Sequence, residues 1–178
     1  MGHLEKRGLG TVTKKAHAGQ HHGPWSKWRE IKCGGIKEKN TEGRPLTLFI
    51  DSSFIIALAD EDDQYHKVAK ELVKITAGEK VISDLILSES TTGVASRLGS
   101  EAGTKVFETL MYDSSTRVVF LNKRLCERSL HLFLKYGQRL SFADTISVRI
   151  MYDRKIKSIV SFDSDFDGIE GVSRISGS

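Results

Sequence analysis

The sequence of 178 residues predicts a three-layer α/β/α sandwich, in which a mainly parallel sheet of four to five strands lies between layers of helices. From residue 46 onward, short apolar runs alternate with longer segments whose apolar residues recur at helical spacing. This alternation is typical of parallel α/β domains. With 39% hydrophobic and 28% charged residues, the chain also has the composition of one ordinary domain with a hydrophobic core.

Residues 1–45 differ from this pattern and are predicted to form a basic, flexible, disordered extension. They hold ten lysine and arginine residues against four glutamates, together with both prolines and both tryptophans. Their apolar residues are sparse and show no period, so burial cannot offset the entropy lost on ordering. We therefore place a boundary at about Pro45 and assign residues 46–178 to the α/β domain.

The composition favours a cytoplasmic protein without a membrane partner. The longest apolar runs are far shorter than the about 18 residues of a membrane span, and residues 1–20 contain no apolar signal segment. Two distant cysteines do not form a disulfide framework. A zinc site built from Cys33 with His17, His21 and His22 would lack a second cysteine, so it has little support.

The first predicted strand, at residues 47–50, is a short apolar run that suits a strand buried on both faces. Asp51 ends this strand. Ser52 and Ser53 follow, and we expect them to cap a short helix at residues 54–59.

An acidic cluster at residues 60–63 ends that helix and favours the N-terminus of the next one, predicted at about residues 64–76. Gly78 ends this second helix. A brief strand is then predicted at residues 81–82, followed by a third helix at about residues 85–98.

Gly99 is the stop signal of the third helix, and a fourth helix is predicted at about residues 101–112. The apolar run at residues 117–121 predicts a strand. Asn122 is expected to cap the next helix, at about residues 123–136.

The last long helix begins with a capping box, because Ser141 is followed three residues later by Asp144. This helix is predicted to end at about Arg154. Two strands complete the pattern, at residues 158–161 and, as a short edge strand, at residues 171–175.

Four acidic residues are predicted to meet at the carboxyl edge of the sheet, where the loops of parallel α/β domains form sites. Asp51 ends the first strand, and Asp163 follows the fourth. Asp144 lies in the first turn of the last long helix. Glu89 lies one turn into a helix, and its apolar neighbours favour substantial burial.

Carboxylates that share a pocket repel one another and lose hydration, so they are tolerated when they share a proton or a cation. Oxygen ligands without a cysteine or histidine set favour Mg²⁺ or Mn²⁺ over zinc, and these ions suit phosphoryl chemistry. Each acid also has a purely structural interpretation. Asp51 and Asp144 can be helix caps, Asp163 and Asp165 can serve a turn, and Glu89 can lie on a solvated face. Only their joint placement indicates a metal site.

Five short motifs follow one another at a specific spacing between residues 46 and 175. They are Phe49-Ile-Asp-Ser-Ser53 with Ile55-Ile-Ala-Leu58, Asp62-Asp-Gln-Tyr-His66, Ser83-Asp-Leu-Ile-Leu-Ser-Glu89, Leu140-Ser-Phe-Ala-Asp144 and Val160-Ser-Phe-Asp-Ser-Asp-Phe166. In order and spacing, this part of the chain resembles the PIN-domain ribonucleases and, within them, the VapC-type toxins. The basic extension is a departure, because VapC-type toxins usually begin within a few residues of the first strand.

The resemblance implies an α/β/α sandwich with an acidic metal pocket and Mg²⁺- or Mn²⁺-dependent cleavage of single-stranded or structured RNA. It implies an antitoxin protein as a partner, because a toxin must be held inactive, and family members commonly form homodimers. It assigns catalytic metal-ligand roles to Asp51, Glu89, Asp144 and Asp163, and secondary roles to Asp165, Ser53 and Ser161.

Basic and aromatic residues outside the acidic set are candidates for RNA binding, because cations hold phosphates and rings stack on bases. A mis-called start codon, an added leader and a solubilising tail are the alternatives for the extension, and a solvated face is the alternative for the helix. The candidates are Lys14, Lys15, Trp25 and Trp28 in the extension, and Arg149 and Arg154 on the last long helix.

Other classes of function have weaker support. A non-catalytic RNA-binding or assembly protein on the same fold would have a broken acidic set, whereas this chain keeps all four acids. A dehalogenase-like phosphatase needs Asp-x-Asp after the first strand, and a phospho-receiver needs paired acids there; neither pattern is present. No Gly-x-Ser-x-Gly elbow supports a serine hydrolase. The sequence therefore predicts a metal-dependent endoribonuclease and, more finely, the toxin of a toxin–antitoxin pair.

Overall fold

The computed structural model describes residues 46–177, apart from the side chain of Ala77. The predicted extension over residues 1–45 lies outside the described residues. The candidates for RNA binding within it lie outside them too, namely Lys14, Lys15, Trp25 and Trp28.

One sheet of five parallel strands organises the described chain. The strands are β1 (Leu48–Ile50), β2 (Lys80–Ser83), β3 (Thr116–Val119), β4 (Ser158–Val160) and β5 (Ser173–Ile175). Their order across the sheet is β3-β2-β1-β4-β5, and every neighbouring pair is parallel. The predicted parallel sheet of four to five strands is confirmed, with β5 as the short edge strand.

Within residues 46–177, six α-helices alternate with the strands. They are α1 (Ser52–Ala59), α2 (His66–Leu72), α3 (Asp84–Leu98), α4 (Ser100–Tyr112), α5 (Lys123–Tyr136) and α6 (Phe142–Arg154). Two short 3₁₀ helices, Val73–Ala77 and Ser164–Phe166, follow α2 and β4. The predicted three-layer α/β/α arrangement is confirmed. Among residues 46–177, no helix combines the length and apolarity that a membrane crossing requires.

Several predicted signals act as helix caps. The Asn122 side chain accepts a hydrogen bond from the backbone N–H of Leu125 at the start of α5. Ser141 and Asp144 form the predicted capping box at the start of α6. At the start of α1, Asp51 is the N-cap, which confirms its interpretation as a helix cap, and the prediction that Ser52 and Ser53 cap this helix was wrong. An aspartate carboxylate fills this role well, since it accepts backbone N–H groups and carries negative charge at the positive helix end.

Two predicted elements are shorter than expected. The helix predicted over residues 64–76 is α-helical only to Leu72, and the β-branched residues that follow continue as a 3₁₀ helix. The strand predicted to reach residue 121 ends at Val119. There the backbone N–H of Leu121 donates a hydrogen bond of 3.0 Å to the Asp84 carboxylate, so it is bonded to a side chain of α3.

The core lies on both faces of the central strands. Leu48, Phe49 and Ile50 of β1 are all buried, and Phe49 lies opposite Val81 of β2 and Ile159 of β4. A strand buried on both faces explains why β1 is continuously apolar in sequence and does not alternate.

The strand order creates a crevice beside β1. Within the sheet, β2 and β3 lie on one side of β1, and the chain then returns to place β4 on the other side of β1. The loops that leave β1 and β4 therefore diverge from adjacent strand ends, and in parallel sheets such a point forms ligand sites. A hydrogen bond of 3.0 Å from the backbone N–H of Asp51 to the carbonyl of Val160 joins the two strand ends.

Candidate active site

Asp51 lies at the bottom of this crevice, directly after β1. Its side chain is almost completely buried and caps α1 by accepting the backbone N–H of Ser53 at 3.2 Å. Burial raises the pKa of the Asp51 carboxyl, although hydrogen bonds from Ser53 and Ser161 act in the opposite direction. The capping interpretation and the site interpretation of Asp51 are therefore compatible, because one carboxylate serves the helix and faces the crevice.

Two serine hydroxyls hold the Asp51 carboxylate. Ser53 Oγ donates a short hydrogen bond to Asp51 Oδ2, and Ser161 Oγ donates to the same oxygen at 2.8 Å. Ser161 Oγ also accepts the backbone N–H of Asp163 at 3.0 Å. Ser53 Oγ accepts the backbone N–H of Phe162 at 3.0 Å. The two hydroxyls thus connect the loops after β1 and β4.

Asp144 lies in the first turn of α6, where its carboxylate accepts the backbone N–H of Ser141 at 2.9 Å and the Ser141 hydroxyl at 2.6 Å. Burial raises the pKa of Asp144, and the negative charges of Asp51 and Asp163 raise it further. The capping box therefore fixes a carboxylate that remains within electrostatic range of the other acids.

Glu89 corrects one expectation, because the residue is exposed although substantial burial was predicted. Leu87 and Ser90 on either side are buried, whereas Ser88 and Glu89 between them are exposed. The carboxyl group is nevertheless shielded. Desolvation raises the pKa of Glu89, the charges of Asp51, Asp144 and Asp163 raise it further, and a hydrogen bond from Ser52 opposes them.

Asp163 precedes a 3₁₀ helix after β4, and its carboxylate accepts the backbone N–H of Asp165 at 2.8 Å. The turn interpretation of Asp163 thus holds at the level of local structure. Its charge still acts on the pKa values of Glu89 and Asp144, so Asp163 lies near both acids.

The four predicted acids line one cavity of about 510 Å³. Its wall also includes three serines, Ser52, Ser53 and Ser141. Within residues 46–177, however, no three histidine, cysteine, aspartate or glutamate side chains are already placed to hold a metal ion. The chemistry of the donor set fits a hard cation such as Mg²⁺ or Mn²⁺, since every acidic and polar group named is an oxygen donor.

The rim of the cavity contains residues that the sequence analysis did not single out. Tyr65, Phe162 and Arg97 line it, and the Tyr65 and Phe162 rings are stacked, with centroids 4.5 Å apart. Arg97 Nη1 donates to Asp60 at 3.1 Å and to Asp63 at 2.8 Å. The Asp62–His66 and Val160–Phe166 motifs contain both aromatic residues and could have indicated them. Arg97 lies in neither motif.

The remaining candidate residues lie outside the described lining of the cavity. Ser161 is buried behind Asp51, and Asp165 is exposed in the 3₁₀ helix. Arg149 forms an ion pair with Asp153, which Arg128 also contacts at 2.6 Å. Arg154 is exposed at the end of α6. The two arginines are therefore not brought together with the acidic set.

Comparisons with known proteins agree with this architecture. The crystal structure of VapC20 from Mycobacterium tuberculosis, described as a sarcin-ricin loop cleaving toxin, is 26% identical to this chain with a TM-score of 0.63. The alignment covers 70% of this chain and 98% of that chain. A toxin–antitoxin complex from Klebsiella pneumoniae is 19% identical with a TM-score of 0.54, covering 71% of this chain and 95% of that chain. At that identity the similarity shows the fold alone.

A search among curated proteins finds no match. A family model described as PIN domain matches residues 48–172. This match spans well over half of the chain and agrees with the motifs read from the sequence. The protein belongs to the PIN domain family, and its structural neighbours include the toxin VapC20.

Proposed function

We propose that this protein is a metal-dependent endoribonuclease and acts as the toxin of a toxin–antitoxin pair. One observation carries the proposal: in a PIN-family chain, Asp51, Glu89, Asp144 and Asp163 line a single cavity at the carboxyl edge of the sheet. Four separate segments contribute these acids. Bringing four carboxylates together costs free energy, because they repel one another and lose hydration, which raises their pKa values. Such a cluster therefore indicates a functional site.

The same four acids would hold Mg²⁺ or Mn²⁺. When bound, such an ion supplies an activated water molecule and neutralises the charge that develops on a phosphodiester. Ser53 and Ser161 orient the Asp51 carboxylate, and Ser141 orients that of Asp144. Supporting hydrogen bonds of this kind fix the direction of a ligand and keep it ionised. Solvent, or one of the four acids if the ion leaves it unliganded, would accept the proton of the attacking water.

RNA is the proposed substrate, and a small antitoxin protein is the proposed partner. The neighbour VapC20 is described as cleaving the sarcin-ricin loop, and the other neighbour is a toxin–antitoxin complex. A homodimer and a cytoplasmic location complete the proposal. Residues 1–45 carry a net charge of +6 and the rest of the chain −2, so the charge of this segment would attract RNA to an otherwise acidic domain.

The test is cleavage of a mixed RNA substrate by the full chain in Mg²⁺, in Mn²⁺ and in excess chelator, with wild type and Asp144→Asn. Glu108→Gln is the control, because it removes an exposed carboxylate of α4 that lies outside the cavity lining. We expect cleavage only with metal, a loss of at least about a hundredfold in Asp144→Asn, and near wild-type cleavage in Glu108→Gln. Equal cleavage with chelator, or in Asp144→Asn, would contradict the proposal.

A non-catalytic RNA-binding protein on the same fold is the second candidate. It is favoured by one observation: within residues 46–177, the acidic side chains are not already placed to hold a metal ion. RNA binding that is insensitive to Mg²⁺ and Mn²⁺, with no cleavage of any RNA offered, would support this candidate over the nuclease.

A further inference from the structure

Three aromatic rings contact one another in a row from the core to the rim of the cavity, and the outer two form a stack. Phe54 is fully buried, and its centroid lies 6.2 Å from that of Phe162. Phe162 in turn stacks on Tyr65, with the ring planes 6° from parallel and the centroids 4.5 Å apart. Tyr65 is the outermost ring and is 39% exposed.

The stack lies beside the acidic set. Tyr65 and Phe162 both line the cavity that Asp51, Glu89, Asp144 and Asp163 share. Phe162 also directly precedes Asp163 in the chain. A group that stacks on Tyr65 therefore lies at the same opening as the carboxylates proposed to hold the ion.

The position of Tyr65 is fixed before any ligand binds. Its backbone N–H donates to Asp63 Oδ1 at 2.9 Å, and Arg97 Nη1 donates to the other oxygen of the same carboxylate at 2.8 Å. The next residue, His66, is buried and its ring bonds the carbonyl of Ala57 at 2.8 Å. A ring held in this way loses little entropy when a second ring stacks on it.

We propose that Tyr65 is a stacking platform for one unpaired RNA base next to the phosphodiester that is cleaved. The inference rests on the proposed ribonuclease function and narrows its substrate class. A base within a duplex has both faces covered by its neighbours, so only a nucleotide in a single strand, loop or bulge can place its base on Tyr65. The protein would then select its RNA substrates by the presence of an unpaired base more than by the sequence of a duplex.

A purely structural role makes a different prediction. If Tyr65 only covers the apolar face of Phe162, then any apolar side chain of similar size will replace it. Stacking requires a ring but not the hydroxyl group. Three variants of the full chain separate these cases: Tyr65→Phe keeps the ring, Tyr65→Leu keeps apolar cover without a ring, and Tyr65→Ala removes both.

The first measurement is cleavage kinetics on RNA hairpins that wild type cleaves. A base that stacks on an aromatic side chain gains enough free energy to change affinity by about five- to a hundredfold. We expect Tyr65→Ala and Tyr65→Leu to raise KM by this factor with a smaller change in kcat, and Tyr65→Phe to stay within about twofold of wild type. A KM that is unchanged in Tyr65→Ala, or a wild-type KM in Tyr65→Leu, would overturn the proposal that Tyr65 stacks on a base.

The second measurement does not depend on cleavage. An RNA hairpin with 2-aminopurine in its loop is titrated in chelator with wild type and each Tyr65 variant, and the same hairpin with 2-aminopurine in its stem is the control. Stacking on a ring is expected to quench the loop probe with wild type and Tyr65→Phe, and much less with Tyr65→Leu, while the stem probe stays unchanged. No quenching of the loop probe by wild type, or equal quenching by all variants, would overturn the inference.

The two measurements separate the failure of the inference from that of the function. If wild type cleaves no RNA but the loop probe is quenched in a ring-dependent way, the ribonuclease proposal fails and the platform stands. If wild type cleaves RNA with metal and neither KM nor quenching depends on the ring, the platform alone fails. Thermal unfolding of each variant verifies that it is folded, as expected for an exposed side chain at a helix N-cap.

Discussion

The hydroxyl group of Ser161 donates a hydrogen bond of 2.8 Å to Oδ2 of Asp51, and the two residues are 110 positions apart in the chain. The same hydroxyl accepts the backbone N–H of Asp163 at 3.0 Å. One buried hydroxyl thus couples an acid that follows β1 to an acid that follows β4. The resemblance to the PIN family implies a supporting role for Ser161, and this geometry gives that role a physical basis.

We predict that Ser161→Ala weakens the site without unfolding the protein. The hydrogen bond from Ser161 lowers the pKa of Asp51, so its loss leaves the effect of burial less opposed and makes the carboxylate harder to ionise. Supporting residues of this kind typically change metal affinity or activity by about 10- to 100-fold. The measurement is RNA cleavage as a function of Mg²⁺ concentration, which we expect to shift to higher concentration.

Ser129→Ala is the matched control for this prediction. Ser129 is also fully buried, but its hydroxyl bonds the carbonyl of Leu125 within α5. The Ser129→Ala variant therefore lacks a buried hydroxyl that lies away from the cavity lining, and we expect its Mg²⁺ dependence of cleavage to be unchanged. An equal shift in both variants would mean that Ser161 acts only through general stability.

Divalent cations are predicted to stabilise the folded protein. An ion that binds only the folded state adds about 2.7 kcal/mol at a concentration a hundred times its Kd. For a domain of this size we expect Tm to rise by about 5 to 15 °C with Mg²⁺ or Mn²⁺. Chelator should reverse the rise, and the double variant Asp51→Asn, Asp144→Asn should lack it. An equal rise in the double variant would place the ion elsewhere.

Glu89→Gln is predicted to stabilise the protein in chelator, in a pH-dependent way. Desolvation and the neighbouring acids raise the pKa of Glu89, so the folded state holds this proton more tightly than the unfolded state. The ionised carboxylate therefore becomes destabilising as pH rises above its ordinary value of about 4.3. Urea unfolding should show a more stable variant at about pH 8 and no difference at about pH 4.

The exposed residue Glu108 on α4 provides the comparison for this measurement. Glu108→Gln should change the free energy of unfolding by less than about 0.5 kcal/mol at either pH. A Glu89→Gln variant that is less stable than wild type at high pH would contradict the prediction, because the ionised Glu89 would then gain more from a favourable contact than it loses by burial and by repulsion from the other acids.

Asp113→Asn is predicted to destabilise the fold away from the site. Lys80 is buried, and its Nζ lies 3.4 Å from Asp113 Oδ2. Burial acts to raise the pKa of Asp113, but hydrogen bonds from Ser115 and Thr116 and the charge of Lys80 prevail and lower it. We expect a loss of about 2 kcal/mol at neutral pH, because the variant weakens the compensation of a buried cation.

The sign of this pH dependence is opposite to that of Glu89. Since the pKa of Asp113 is lowered on folding, its contribution is present above the ordinary value of about 3.9 and is lost as pH falls through the lower folded value. Denaturant unfolding at neutral and acidic pH measures it. Glu170→Gln, which removes an exposed partner of Lys135, should change stability by less than about 0.5 kcal/mol. Equal losses in both variants would contradict the prediction.

Much of the fold could be predicted because its signals are local. Apolar runs such as residues 47–50, caps such as Asn122 and the capping box of Ser141 act within a few residues of the chain, and the structure confirms the elements they begin or end. Strand ends were less predictable, since β3 stops where the backbone of Leu121 bonds Asp84 of another element.

The candidate site was less predictable from the residues alone. Each acid has a local role that is also present, as the cap formed by Asp51 and the turn formed by Asp163 illustrate. The exposure of Glu89 could not be predicted, because it depends on which face of α3 packs against its neighbours. That the four acids bind a metal ion stays a prediction. The measurement of Tm with divalent cations and the cleavage assay of Asp144→Asn test it.

The sequence by itself determined the layered α/β class, the succession of strands and helices and the PIN family, because these depend on periodicity, caps and motif spacing along one chain. Only the tertiary structure decided that Ser161 bonds Asp51 and that Tyr65 stacks on Phe162. Both contacts join segments about a hundred positions apart. They form because β1 and β4 are neighbours in the sheet, and that adjacency is fixed by packing of the whole domain.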